Sequence, residues 1–134
     1  MSVAVRRSVL DDIEAHARAE RPNECCGLLV GRPDAIESSY RARNELGSPT
    51  RYRVAAEDHF AAIRFARRIG LDVVGAYHSH PCSAPTPSPT DVAEATPGDF
   101  MHLIVGVGPG DEPAIQAWRL AGGNFVPVPL VTLW

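Results

Sequence analysis

His78-Ser79-His80 is the tripeptide in this chain best suited to chemistry. In extended backbone, side chains two apart share a face and their Cα atoms lie about 6.6 Å apart. Two imidazoles so placed can converge on one metal ion, at about 2.0–2.1 Å per nitrogen–zinc bond. Both close the run Asp72–His80, at the carboxyl end of a strand, where open α/β sheets place their ligands. A polar strand end also explains such a pair. The residues that follow favour the metal. Seven residues separate His80 from Ser88, and Asp91 comes three positions later in the first turn of a predicted helix. The proline-rich stretch 81–87 can swing that turn back across the strand end. Asp91 would then add a hard oxygen and complete a His₂Asp set with an open fourth position. Structural zinc is closed by four protein ligands, so an open set is a catalytic layout.

Each of these residues has a plainer reading beside the chemical one. Ser88 and Asp91 read as a capping box, with Asp91 favoured by the helix dipole. The two readings are compatible, because a capped turn also fixes the direction of the carboxylate. Cys82, two residues past His80, is an alternative third ligand or a spectator thiol. Glu24 opens the apolar run Glu24–Gly31, where a carboxylate is rarely buried without a task. It is the candidate proton acceptor; the alternative is a surface acid beside the Pro22-Asn23 turn. Cys25 and Cys26 read as small buried hydrophobes. His16, His59 and His102 have no partners in sequence and read as surface or satisfied histidines, and Tyr77 and Trp118 read as core.

Several elements must hold these groups in place. Ser8 can cap a helix over Val9–Glu20 with Leu10, Ile13 and Ala17 on one stripe. Glu24–Gly31 reads as a buried strand and Ile36–Arg43 as a weaker one. Asn44–Thr50 is a polar loop and Tyr52–Val54 extended chain. Ala56–Ile69 is helical by periodicity, with Phe60, Ile63 and Ala66 or Arg67 inward and Gly70 as its stop. Asp72–His80 is apolar on both faces until its last three residues and reads as a central strand. Ser88-Pro89 opens a helix to about Ala95. Met101–Val107, Ala114–Leu120 and Asn124–Val131 read as strands, the last two joined by a Gly122-Gly123 hairpin turn. Helices and strands interleave around one sheet, so the chain reads as one compact α/β or α+β domain spanning 1–134.

With 134 residues, a 45% hydrophobic and 22% charged composition, and no repeat, the chain is long enough for one core. Its net charge of −3 argues against nucleic acid as a partner, because neutralising phosphates needs a basic face. All thirteen basic residues are arginine. No stretch reaches the roughly 18 apolar residues of a membrane span, and Met1–Ser8 lacks a signal-peptide core. Three cysteines, two adjacent, make a poor disulfide framework. The expectation is a cytoplasmic protein with reduced thiols.

Glu24, His78-Ser79-His80-Pro81, seven residues to Ser88 and two more to Asp91 resemble the signature of the JAMM (MPN+, Mov34-type) metalloproteases, E…H-[ST]-H-x7-S-x2-D. Pro22-Asn23-Glu24-Cys25-Cys26-Gly27, Asn44 with Ser48-Pro49, and Val74–Pro81 are similar to its stand-alone prokaryotic branch. The resemblance implies a cytidine-deaminase-like mixed sheet flanked by helices. It implies one Zn²⁺ per chain on His78, His80 and Asp91, with Glu24 as general acid/base and Ser88 hydrogen-bonding the attacking water or the developing oxyanion. The implied reaction is hydrolysis after the C-terminal Gly-Gly of a ubiquitin-like or sulfur-carrier protein, with release of an amino acid such as cysteine. The chain is too short for long ubiquitin-gripping insertions, and a homodimer is left open. Three alternatives stand beside it: a non-enzymatic scaffold of the same fold, a structural metal site, and a zinc deaminase. The deaminase needs H-x-E and C-x-x-C, which this sequence lacks.

Overall fold

The run predicted as a central strand lies at the centre of the sheet. In a computed structural model that describes residues 2–95, 100–108 and 114–134, eight strands form one sheet and three helices accompany it. They are β1 (Val3–Arg6), α1 (Arg7–Glu20), β2 (Cys26–Arg32), β3 (Ala35–Ala42), α2 (Ala56–Arg68), β4 (Asp72–His80), α3 (Pro89–Glu94), β5 (Met101–Gly106), β6 (Ala114–Ala121), β7 (Asn124–Val128) and β8 (Leu130–Leu133). The strand order is β7-β6-β5-β4-β2-β3-β1-β8. Strand β4 runs antiparallel to β2 and parallel to β5.

Strands β7 and β8 lie at opposite ends of that order, yet only Pro129 separates them. Two Cα–Cα steps of about 3.8 Å cannot span an open sheet, so its two ends must meet. The sheet is therefore curled. The Pro129 carbonyl marks the join by accepting from the Val3 amide at 2.9 Å. One strand was predicted over Asn124–Val131; proline, which cannot donate to a ladder, splits it.

The curl gives the two faces different cores. Inside it, α1 contributes Val9, Leu10, Ile13 and Ala17, which meet Val3, Leu29, Ile36, Tyr77, Leu103, Ala117 and Val128 from seven strands. On the outside, α2 covers a smaller cluster of Cys26, Leu28, Ala42 and Ala76. Its inward residues are Ala62 and Ala66. Phe60, predicted inward, is 61% exposed. Small side chains four apart let the helix approach the sheet, and that contact overrides the larger residue's hydrophobicity. No helix among the described residues is long and apolar enough to cross a membrane.

Three further expectations need correction. Ser8 does not cap α1, which starts at Arg7 directly from β1, with Arg6 as an extended N-cap whose side chain makes no capping hydrogen bond. Strand β1 went unread because four residues are too few to show a period. Strand β2 starts at Cys26, so Glu24 lies just before it rather than in it. Gly122 and Gly123 take positive φ of 58° and 81°, as the predicted β6–β7 hairpin requires.

His16 is buried and shares a 2.7 Å hydrogen bond with the Tyr77 hydroxyl inside the larger core. Tyr77→Phe leaves the imidazole unsatisfied and should cost about 1–3 kcal/mol in urea unfolding. Combining it with His16→Leu should recover much of that loss. An unchanged unfolding midpoint for the single variant would show that the bond contributes nothing.

Candidate metal and catalytic site

Alternation along β4 decides which side chains meet. Tyr77 faces the α1 core, whereas His78 pairs in register with Cys26, a member of the α2 cluster. His78 and His80 therefore emerge together on the α2 side. Between them, Ser79 is fully buried and its Oγ accepts from the Cys25 amide at 2.8 Å. The Ser79 amide donates to the Cys25 carbonyl at 3.2 Å. These two bonds tie the residue after Glu24 to the residue between the histidines.

Asp91 arrives from α3 as predicted. Ser88 Oγ accepts from the Asp91 amide at 3.0 Å, and Asp91 Oδ2 accepts from the Ser88 amide at 2.9 Å. The capping box thus fixes the carboxylate's direction. The same Oδ2 lies 3.0 Å from His80 Nε2 and 3.2 Å from His78 Nε2, and the two Nε2 atoms are 3.2 Å apart. Donors around a tetrahedral ion at about 2.0–2.1 Å are spaced by roughly 3.3 Å, so this triangle has the size of three of its four corners. His80 Nδ1 donates to the Ala84 carbonyl at 2.8 Å, which leaves its Nε2 as the inward-facing nitrogen. Tyr52 stacks on the His78 ring, with centroids 4.3 Å apart. Two nitrogens and a carboxylate oxygen suit zinc, so donor set and spacing both fit a metal ion. Cys82 is exposed and outside this group.

The electrostatics fit the same reading. Burial would raise the Asp91 carboxyl, but hydrogen bonds from His78 and His80 hold it far below the usual carboxylate range. Burial lowers His78. For His80 the same penalty is outweighed by its bonds to Asp91 and Ala84, and it is raised. The site therefore keeps an anionic aspartate between two imidazoles of unequal basicity.

Glu24 is 4% exposed, and its Oε1 is buried without a hydrogen-bond partner. Burial pushes its carboxyl up to about 7, against the lowering influence of His80. A buried carboxylate oxygen with nothing to bond is costly unless a ligand completes it. Its surface-acid reading is thereby excluded. Glu24, His80 and Ser88 together line a cleft of about 260 Å³ walled by Pro49, Thr50 and Cys82. The sequence-predicted residues thus come together: three in the triangle, with Glu24 and Ser88 beside it.

The backbone of Glu24 is held on both sides. Its amide donates to Ser48 O at 2.9 Å, and its carbonyl accepts from Asn44 Nδ2 at 3.1 Å. Asn44 also donates to Arg51 O and accepts from the amides of Leu46 and Arg53, so the side-chain amide's full bonding capacity is used. Sequence reasoning offered Asn44 only within the resemblance, and gave no sign that Tyr52 would cover His78. Cys25 and Cys26 are buried as expected, their thiols pushed up by burial to about 11 and about 12. Trp118 is half-buried, and its Nε1 donates to Pro85 O at 3.1 Å, pinning the proline-rich stretch.

Residues 6–121 match the family model described as prokaryotic homologs of the JAB domain, and the chain belongs to that family. It is 28% identical over 130 residues to the CysO-cysteine peptidase of Mycobacterium tuberculosis, covering 96% of this chain and 89% of that protein. It is 32% identical over 107 residues to the desampylase of Haloferax volcanii, covering 78% and 77% respectively. A solved protein from Desulfitobacterium hafniense superposes with a TM-score of 0.89 at 25% identity, over 98% of this chain and 92% of that one. A JAB1/MPN domain protein from Archaeoglobus fulgidus shares the fold, with a TM-score of 0.62 at 24% identity, over 97% of each chain.

Proposed function

We propose that this chain is a zinc-dependent peptidase that hydrolyses the amide bond following the C-terminal Gly-Gly of a ubiquitin-like or sulfur-carrier protein. The observation that carries the reading is the buried His78–His80–Asp91 triangle beside the unpartnered Oε1 of Glu24. Relatives named for cleaving such conjugates, the CysO-cysteine peptidase and the desampylase, supply the substrate class. Three cysteines with no disulfide among them agree with a cytoplasmic location.

His78, His80 and Asp91 would hold one zinc ion per chain, leaving an open position. When bound there, zinc polarises a scissile carbonyl and brings the acidity of water close to neutrality. Glu24 takes the proton of the attacking water at its carboxylate and returns it to the leaving amine. A carboxyl whose affinity for the proton lies near neutrality suits both halves of that exchange. Ser88 Oγ already accepts from the Asp91 amide, so its hydroxyl hydrogen is free to donate to the developing oxyanion. Ala84 and the capping box hold His80 and Asp91 in orientation. The cleft walled by Pro49, Thr50 and Cys82 opens beside Glu24 and Ser88, where the tail of such a carrier would lie.

Elemental analysis of protein reconstituted at neutral pH should give one zinc per chain. His78→Ala should lose most of it, whereas His59→Ala, on the exposed side of α2, should keep it. A metal-free protein after reconstitution would remove the assignment.

Glu24→Gln keeps shape and volume but removes the proton acceptor. Zinc content should stay at the parent's level while turnover of a carrier extended beyond Gly-Gly falls by about 10²–10⁴-fold. Mass spectrometry of a panel of ubiquitin-like carriers with C-terminal extensions reads both activity and cleavage position. Activity within a few-fold of the parent would take Glu24 out of the mechanism, and lost zinc would make it a ligand instead.

A further inference from the structure

A second depression adjoins the catalytic triangle on the opposite side of Tyr52. It is a groove of about 310 Å³ whose apolar lining includes Leu28, Tyr52, Val54, Ala76 and Phe100. Its floor continues the catalytic face of the sheet. Ala76 precedes His78 by two residues on β4, and Leu28 follows Cys26, the register partner of His78, by two on β2. One such step is about 6.6 Å. Tyr52 is the shared wall, because it lines the groove and stacks on His78. Glu94, which also lines the groove, belongs to α3, the helix that carries Asp91.

The two depressions differ in chemistry. The cleft beside Glu24 and Ser88 is walled by prolines and short polar side chains; the groove has an apolar set, Leu28, Tyr52, Val54, Ala76 and Phe100, with Arg53, His59, Glu94 and His102 around it. A Gly-Gly tail has no side chain to place in an apolar pocket. The residue beyond the scissile bond does. The charges at the groove's edge are already matched: Arg53 Nε lies 3.3 Å from Glu45 Oε2, and Glu94 Oε1 lies 2.7 Å from Arg51. A charged side chain entering the groove would lose water over this apolar floor, where the arginine and the glutamate at the edge already have partners.

From this continuity and this lining we infer that the groove bounded by Tyr52, Val54 and Phe100 receives the side chain of the leaving residue. It selects uncharged aliphatic or thiol side chains over charged ones. The inference rests on the proposed cleavage after Gly-Gly and adds the class of residue released. A leaving lysine or glutamate would leave its charge in apolar surroundings, and a leucine, valine or cysteine would bury its side chain there.

The test uses the zinc-loaded protein and the carrier it cleaves best, extended beyond Gly-Gly by one residue: Ala, Cys, Val, Leu, Phe, Lys or Glu. All seven products carry the same α-carboxylate, so that charge cancels in the comparison. We expect kcat/KM for Cys, Val and Leu to exceed that for Lys and Glu by about tenfold or more, as an apolar pocket discriminates. His59 lies exposed on α2 and also lines the groove, so His59→Trp narrows it at a position the fold tolerates. That variant should lower kcat/KM for Leu and Phe about tenfold and for Ala by much less, with zinc content unchanged. A flat profile across the seven residues, a preference for Lys or Glu, or an equal loss for all substrates in His59→Trp would overturn the inference while leaving the peptidase reading intact. No cleavage of any fusion by the zinc-loaded protein would overturn the peptidase reading and the inference with it.

Discussion

The arrangement depends on one buried anion. Asp91 Oδ2 sits within 3.2 Å of two imidazole nitrogens, on a side chain only 7% exposed. Removing a carboxylate from water is expensive unless donors replace the water. Here the Ser88 amide donates to the carboxylate, and two imidazole nitrogens stand at contact distance. Helix α3, which carries Asp91, has six residues, and none of its apolar ones is buried. Apolar packing therefore does little to hold it. Its position rests on polar ties: the capping box, the Arg51–Glu94 ion pair and the Asp91–histidine contacts. An exposed ion pair contributes little by itself, so the site end of the helix carries most of the restraint. A cation bound by the triangle would therefore fix α3 as well as supply chemistry.

The imidazole side of the contact is held more firmly. Strand β4 has neighbours on both edges, and its alternation sends Tyr77 and Ser79 into buried bonds with His16 and Cys25. Those bonds fix the rotation of the strand about its own axis, and so the direction of both histidines. The curl of the sheet collects the large core inside and leaves the outer face to α2, the 44–54 segment and α3. The site forms where that lighter covering meets the end of β4. A rigid strand thus presents two ligands, and a short, lightly packed helix presents the third.

Much of this was legible in the sequence because it is local. The H-x-H pair needs only the two-residue period of a strand, and the Ser88–Asp91 box only one turn of helix. Strand β4 was read to the residue, since continuous apolar sequence marks a strand covered on both faces. What escaped were features set by distant contacts. Phe60 faces solvent because Ala62 and Ala66 allow a closer helix–sheet approach. Strand β8 crosses to β1 because the sheet closes on itself, a consequence of all eight strands that no window around Pro129 contains. Tyr52 covers His78, and Asn44 braces Glu24, across separations of 26 and 20 residues that carry no periodic signal. Glu24 was visible as a misplaced acid, but its unpartnered oxygen was not.

The chemistry at the end of β4 depends on which atoms face one another there. X-ray absorption at the zinc edge of the reconstituted protein addresses it directly, independent of any substrate. Two imidazole nitrogens and carboxylate oxygen at about 2.0–2.1 Å, with no sulfur in the shell, are what His78, His80 and Asp91 require. A sulfur scatterer near about 2.3 Å would bring Cys82 into the ligand set and contradict the account. So would an all-oxygen shell without the outer scattering of imidazole rings.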